Sequence, residues 1–342
     1  MKRTEGFPAI GYLLFAAATL GTMLLCVCAG SVDIPVRSTL TVIGSALAGK
    51  PVPDGMYGTI LLNVRLPRVL CVALTGASLS LCGAAMQGLL KNPLADGSTL
   101  GVSSGASLGA VLAIAFGVSV PGLPLAGTMG MAITFAFASL IVILALACRL
   151  DASLSTNTII LVGVVFSMFA SALMSLTITF AGEKVKTITF WTMGSLAGAD
   201  YTDALALCGA LTVCGATLLC RARELNAFAV GEDHARHVGV QARRVKLTVL
   251  VCVSVLVGVC VSIGGTIGFV GLVTPHMARM IVGPNHKKLL PASLFSGAIF
   301  LMLADLAARV LLRPLELPIG VITSLAGSAA FVLIFYKSRR AR

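Results

Sequence analysis

The sequence predicts an all-α polytopic membrane protein with about ten transmembrane helices, a short re-entrant helix and one short helix in a cytoplasmic loop. Three observations carry that prediction. Hydrophobic residues make up 57% of the 342-residue chain and charged residues only 11%, against roughly 25% charged in an average soluble domain. The apolar residues fall in runs near the ~20 residues that cross about 30 Å of hydrocarbon. The polar breaks between runs are too short for a separate soluble domain, so residues 1–342 are read as a single transmembrane domain.

Ten candidate spans lie near residues 8–31, 62–90, 99–117, 123–147, 155–180, 201–221, 245–264, 268–283, 289–312 and 318–336. The first follows Lys2-Arg3, but its run from Pro8 to Gly30 exceeds the apolar core of a cleaved signal peptide, so it is expected to be retained. A polar segment with an amphipathic stretch, Ser38–Ala48, separates it from the second span. The second and third spans are joined by GAAMQGLLKNPLADGSTLGVSSGASLG, Gly83–Gly109, where Gln87, Asn92-Pro93 and the Lys91/Asp96 pair interrupt an apolar run. Backbone broken at membrane depth is tolerated only where protein or a water-filled cavity satisfies it, which suggests a solute-lining part of a transport protein. Charge placement instead puts the Lys91–Asp96 break at the cytoplasmic end, where it reads as a tight turn, with Gln87 and the glycines as packing and hinge features. Gly101, Gly105 and Gly109 form a stripe that lets two backbones approach, within the chain or at a subunit contact.

After the fifth span, Glu183–Lys186 leads into TITFWTMGSLAG, too short to cross and therefore re-entrant or interfacial. Trp191, the only tryptophan, suits the headgroup level. The eighth span is short, as helices beside broken backbone in transporters are.

The net charge of +12 sits in short breaks between the spans. Lys and Arg near span ends favour the cytoplasm, which places both termini and most of the 25 basic residues inside. The charge therefore reports orientation and implies no nucleic-acid partner. The longest cytoplasmic break, RARELNAFAVGEDHARHVGVQARRVK from Arg221 to Lys246, has an apolar side of Leu225, Phe228 and Val230 and a helical run from Glu232 to near Gly239. Its early acids and late bases suit the helix dipole. Such a helix must bury its apolar face, on the lipid surface or in a cytoplasmic partner.

Arg65 and Arg68 fall at the outer start of the second span, and Arg309 and Arg313 near the outer end of the ninth. Outer arginines either snorkel to headgroups or receive carboxylates of an external partner or ligand. Asp305 stands four residues before Arg309, a spacing that lets the two pair; structural pairing is favoured over a proton relay.

No metal or cofactor is expected. The ten cysteines show no ligand spacing and read as small buried hydrophobes. His234, His237, His276 and His286 are likewise unspaced for ligation. Gly44–Lys50 resembles a phosphate-binding loop, but Pro51 replaces the hydroxyl residue that would hold Mg²⁺, so the chain has no ATPase site of its own.

Seven segments then resemble one family in order and spacing: RLPRVL, GAAMQGLLKNPLADGSTLGVSSGAS, WTMGSLAG, GEDHARHVGV, GTIGFVGLVTPHMARMIVGPNHKKLLPAS, LADLAARVL and ELPIGVITSLAGSAAF. These are similar to the FecCD-type permease subunits of ATP-binding-cassette importers for iron–siderophore complexes, haem and cobalamin. The match runs from Arg65 to Lys337, and the first sixty residues match in hydropathy alone. One departure is that Gly97-Ser98 follows Asp96 where the family more often has Pro-Gly.

The resemblance implies a dimer of permease chains in the inner (plasma) membrane, two cytoplasmic ATP-binding subunits, and an external substrate-binding protein, periplasmic or lipid-anchored. It puts the family's coupling helix on GEDHARHVGV, with Gly231, Glu232, Ala235 and Gly239 matching its pattern. The arginines that receive the binding protein become Arg65, Arg68 and Arg309, and the pathway lining Met168, Ser171 and Ser175. Ferric siderophore is the implied cargo, with haem or cobalamin as alternatives. A rival from another class is an ion-coupled secondary transporter using Asp305 or Asp96.

Overall fold

The computed structural model describes residues 9–30, 34–48, 56–120 and 126–340. Lys2-Arg3 and the Gly49–Pro51 end of the phosphate-loop-like run lie outside the described residues. Every regular element described is helical. Among the described residues, seven helices are long and apolar enough to cross a membrane, and three shorter apolar helices fall where the other three expected spans lie. The long ones begin with α1 (Ala9–Cys28), followed after the amphipathic α2 (Val36–Leu47) by a continuous run of α3 (Met56–Ile60), a π-helical turn (Leu61–Arg65) and α4 (Leu66–Leu89).

Helix α4 is the axis of the bundle. It is apolar or small-sided all round, the pattern of a helix buried in a core, and nearly every residue from Pro67 to Leu89 is buried. Around it stand α13 (Ala242–Gly264), α14 (Val270–Val282) and α15 (His286–Val310). Glycines set the spacing: a methyl on Gly76 would overlap the Gly297 carbonyl of α15, and one on Gly83 would overlap the Gly271 carbonyl of α14. Backbones in that contact replace the hydrophobic drive that lipid does not supply.

An outer layer holds α5 (Val102–Phe116), α6 (Ala126–Leu150) and α7 (Thr156–Phe180). The stripe Gly105/Gly109 lies against Ser139 and Met131 of α6, so it packs within the chain. Next come a short helix α8 (Val185–Thr192) and a span made of α9 (Tyr201–Ala210), a π-helical turn (Leu211–Gly215) and α10 (Ala216–Cys220). Helix α11 (Ala222–Val230) and the six-residue α12 (Glu232–His237) then lead into α13, and α16 (Ile319–Arg340) closes the chain.

Candidate functional site

Three short segments of non-helical backbone meet beside α4. The first is the Asn92–Gly101 turn. Asp96 caps its 3₁₀ turn, Gly97–Leu100, accepting from the amides of Ser98 at 3.0 Å and Thr99 at 3.1 Å and from the Ser98 hydroxyl at 2.6 Å. Gly101 follows at φ +81°, letting the chain reverse into α5. The second is residues 265–269 between α13 and α14, with Gly265 at φ +67° and Phe269 at +66°.

The third follows α8. Here Ser195 N donates to Gly264 O at 2.9 Å, while Ile319 N and Gly320 N donate to Gly194 O and Met193 O, both at 3.1 Å. The Thr266 hydroxyl donates to Thr192 O. The second and third breaks thus satisfy each other's backbone, while the first is satisfied internally by Asp96, as membrane depth demands.

Between the first two lies a cavity of about 250 Å³, lined by Asp96, Ser103, Ser104, Ser107, Met174 and Cys260 among others. This corrects the reading of Lys91–Asp96 as a turn confined to the bundle end. Lys91 is at that end, its Nζ donating to Val230 O at 2.8 Å. The chain then returns inward, so that Asp96 is buried and Gly97 sits against Cys82, Val253 and Val257. The hint was the length of α5, 15 residues or roughly 22 Å, which leaves part of the thickness to the turn.

Gln87 has a definite task. Pro275 inside α14 leaves the Gly271 carbonyl without its helical donor. Gln87 Nε2 donates to that oxygen at 3.3 Å and to Leu272 O at 3.4 Å, and its Oε1 accepts from Arg279 at 3.0 Å.

At the Arg65 end, the three arginines are turned inward: Arg65, Arg68 and Arg309 are 5%, 7% and 3% exposed. Arg68 donates to Asp305 Oδ1 at 2.9 Å and to Glu316 Oε2 at 2.8 Å. Arg309 Nε lies 2.9 Å from Asp305 Oδ2, an ion pair whose direction is not that of a hydrogen bond. Arg65 donates to Val27 O and Cys28 O, and Arg309 to Cys26 O and Ala29 O. Two guanidiniums therefore cap the carbonyl end of α1, where positive charge is favoured. The pairing of Asp305 with Arg309 agrees with their spacing. Within this chain all three arginines are buried and take partners from the chain itself.

At the opposite end, Leu225 and Phe228 of α11 are buried in the protein's own core. This corrects the expectation that lipid or another chain must cover them; Val230 and Val238 stay exposed. Gly231, in extended backbone at φ 162°, turns α11 into α12, and Gly239 at φ +86° turns α12 toward α13. Ala235 is buried beneath α12, while Asp233, His234, Arg236 and His237 face outward.

Glu232 is held from below. Both its oxygens accept from Lys246 Nζ at 2.8 Å, and Arg236 donates to Oε1 at 2.7 Å. Lys246 is wholly buried and also donates to Leu154 O at 2.6 Å. Sequence reasoning missed it by counting it among the basic residues of the loop. The available signal was position: Ala242, Val245, Val249, Leu250 and Val253 share its buried helical face.

Met168, Ser171 and Ser175 lie on one exposed face of α7, away from the packed residues Ile159, Gly163 and Ala170. Met174, at the border of that face, lines the cavity. Six cysteines are buried, whereas Cys208 and Cys220 are exposed. No cluster of ligating side chains that could hold a metal occurs among the described residues.

The model of the FecCD transport family matches residues 18–337, reaching further toward the N-terminus than the seven segments do. The chain is 40% identical over 333 residues to YvrB, an uncharacterized ABC transporter permease of Bacillus subtilis strain 168, covering 97% of this chain and 93% of that one. It is 36% identical over 327 residues to the cobalamin import system permease BtuC of Halobacterium salinarum, covering 96% and 85%. A solved structure of a metal-chelate type ABC transporter in an inward-facing conformation superimposes with a TM-score of 0.84 at 32% identity, over 95% of this chain and 98% of that one.

Proposed function

Because the chain belongs to the FecCD transport family of ABC importer permeases, we propose that it forms the membrane path for an iron complex, a ferric siderophore, driven by separate ATPase subunits. The observation that carries this reading is the docking helix α12, fixed to the bundle by the Glu232–Lys246 pair. A six-residue helix has little stability of its own; anchored in this way it becomes a stiff handle on which a cytoplasmic machine can act. The cavity and the non-helical breaks beside it supply the part of the bundle that can change shape.

In this reading two ATP-binding subunits engage α12 around Gly231, Glu232, Ala235 and Gly239, and a second permease chain faces the α7 stripe. Met168, Ser171 and Ser175 then line the path. The protein is multi-pass in the inner (plasma) membrane with both termini cytoplasmic, and an external binding protein delivers the cargo to the Arg65 end. Docking there proceeds by exchange: an acidic residue of the binding protein competes with Glu316, the most exposed member of the network, for Arg68, beside Arg65 and Arg309. ATP acts by differential affinity for inward- and outward-facing states. Ion coupling through Asp305 is disfavoured, since both its oxygens already face guanidiniums.

Identifying the ligand that co-purifies with the cognate binding protein tests the cargo. An iron chelate is expected; a corrinoid or haem would replace the siderophore assignment while leaving the importer reading intact.

A further inference from the structure

We propose that Lys246 is the positioning residue that makes the docking helix, the α6–α7 loop and α13 move as one body. The inference rests on α12 being the surface on which the ATPase acts. The ammonium of Lys246, carried on α13, has three protons, and two separate pieces of chain accept them. Glu232 of α12 takes both 2.8 Å contacts, Leu154 O lies at 2.6 Å and Ser153 O at 3.4 Å.

The loop is built beforehand to present those carbonyls. Asp151 accepts from Ser153 N at 2.8 Å, Ser153 Oγ at 2.6 Å, Ser155 N at 2.9 Å and Thr158 Oγ1 at 3.2 Å. The bonds from Ser153 and Ser155 hold its carboxyl well below the usual carboxylate range. Leu154, wholly buried, adopts φ +52°, a conformation that a branched side chain disfavours and that the surrounding structure must enforce.

A lysine in this place is not explained by stability alone. Its neighbours on α13 are apolar and buried, and replacing a buried ion pair by well-packed apolar groups is often neutral or stabilising. What an apolar side chain cannot do is join three segments by directed bonds. The segments so joined lead to two walls of the cavity. The Ser153–Leu154 loop continues into α7, which supplies Met174, and α13 supplies Val257, Cys260 and Val261. A displacement of α12 is therefore passed to both walls together.

The test uses the complete complex in proteoliposomes, with ATPase subunits and binding protein, and reads substrate moved per ATP hydrolysed. With Lys246→Met, assembly and basal ATPase should stay within about 2-fold of wild type while the ratio falls about tenfold or more. Glu232→Gln should fall in the same direction, and the double variant should be no worse than Lys246→Met alone, because both remove one link. A wild-type ratio in Lys246→Met overturns the inference. So does a reduced yield of assembled complex whose remaining molecules keep the wild-type ratio, since that is the signature of a folding role. A wild-type complex with no ATP-driven uptake would instead overturn the importer reading, and is seen before any variant is made.

Discussion

Asp305 is shared by Arg68 and Arg309, and its burial makes that sharing costly to disturb. Removing one member of a buried pair leaves an uncompensated charge, worth about 3–5 kcal/mol. Asp305→Ala should therefore lower stability by about that amount in detergent unfolding, and Asp305→Ala/Arg309→Met should recover part of the loss. Glu316 is a different case, with a side chain 36% exposed. Glu316→Gln should leave the fold intact and tighten the binding protein severalfold by freeing Arg68 from a competitor; unchanged affinity in a titration would remove Arg68 from the docking surface. At this scale, local pairs were legible in the sequence and distant ones were not. The Asp305–Arg309 contact is one helical turn, whereas Arg68 reaches Asp305 across 237 positions. Lys246 hid for the same reason, because its partners lie 14 and 92 positions away.

Helices in this protein are held together by what glycine omits. A methyl at Gly83 or Gly297 would overlap a carbonyl of the facing helix, while Gly21 and Gly130 have nothing within 4 Å. Gly83→Ala and Gly297→Ala should cost about 1–3 kcal/mol or more through forced separation of the backbones. Gly130→Ala should be neutral or slightly stabilising, since alanine is the better helix former. Thermal melts of the purified chain check all three, and equal melting for Gly83→Ala and Gly130→Ala would contradict the packing described. The ten spans were legible because hydropathy acts along the chain. The depth of the Asn92–Gly101 turn was not, because a buried turn and a surface turn share the same Gly, Asn and Pro signals. Only its packing against Val253 and Val257 distinguishes them.

The whole molecule joins an ion-pair network at one end to the clasped helix α12 at the other through a bundle in which two of the breaks line a cavity. Along its side, the α7 stripe is uncovered, and Met168 is 68% exposed. If that face lines the path, Ser171→Trp should cut uptake about tenfold with assembly and basal ATPase unchanged; uptake at the wild-type rate would place the path elsewhere. Family-level features were legible here because seven segments recur in order, while cargo was not, since no side chain around the cavity carries a chemistry peculiar to one cargo. The most direct measurement is uptake by proteoliposomes containing this chain, with and without its ATPase partners, ATP and an imposed ion gradient. Uptake that requires the partners and ATP, and is indifferent to the gradient, is the predicted result. Uptake driven by the gradient alone would contradict the account.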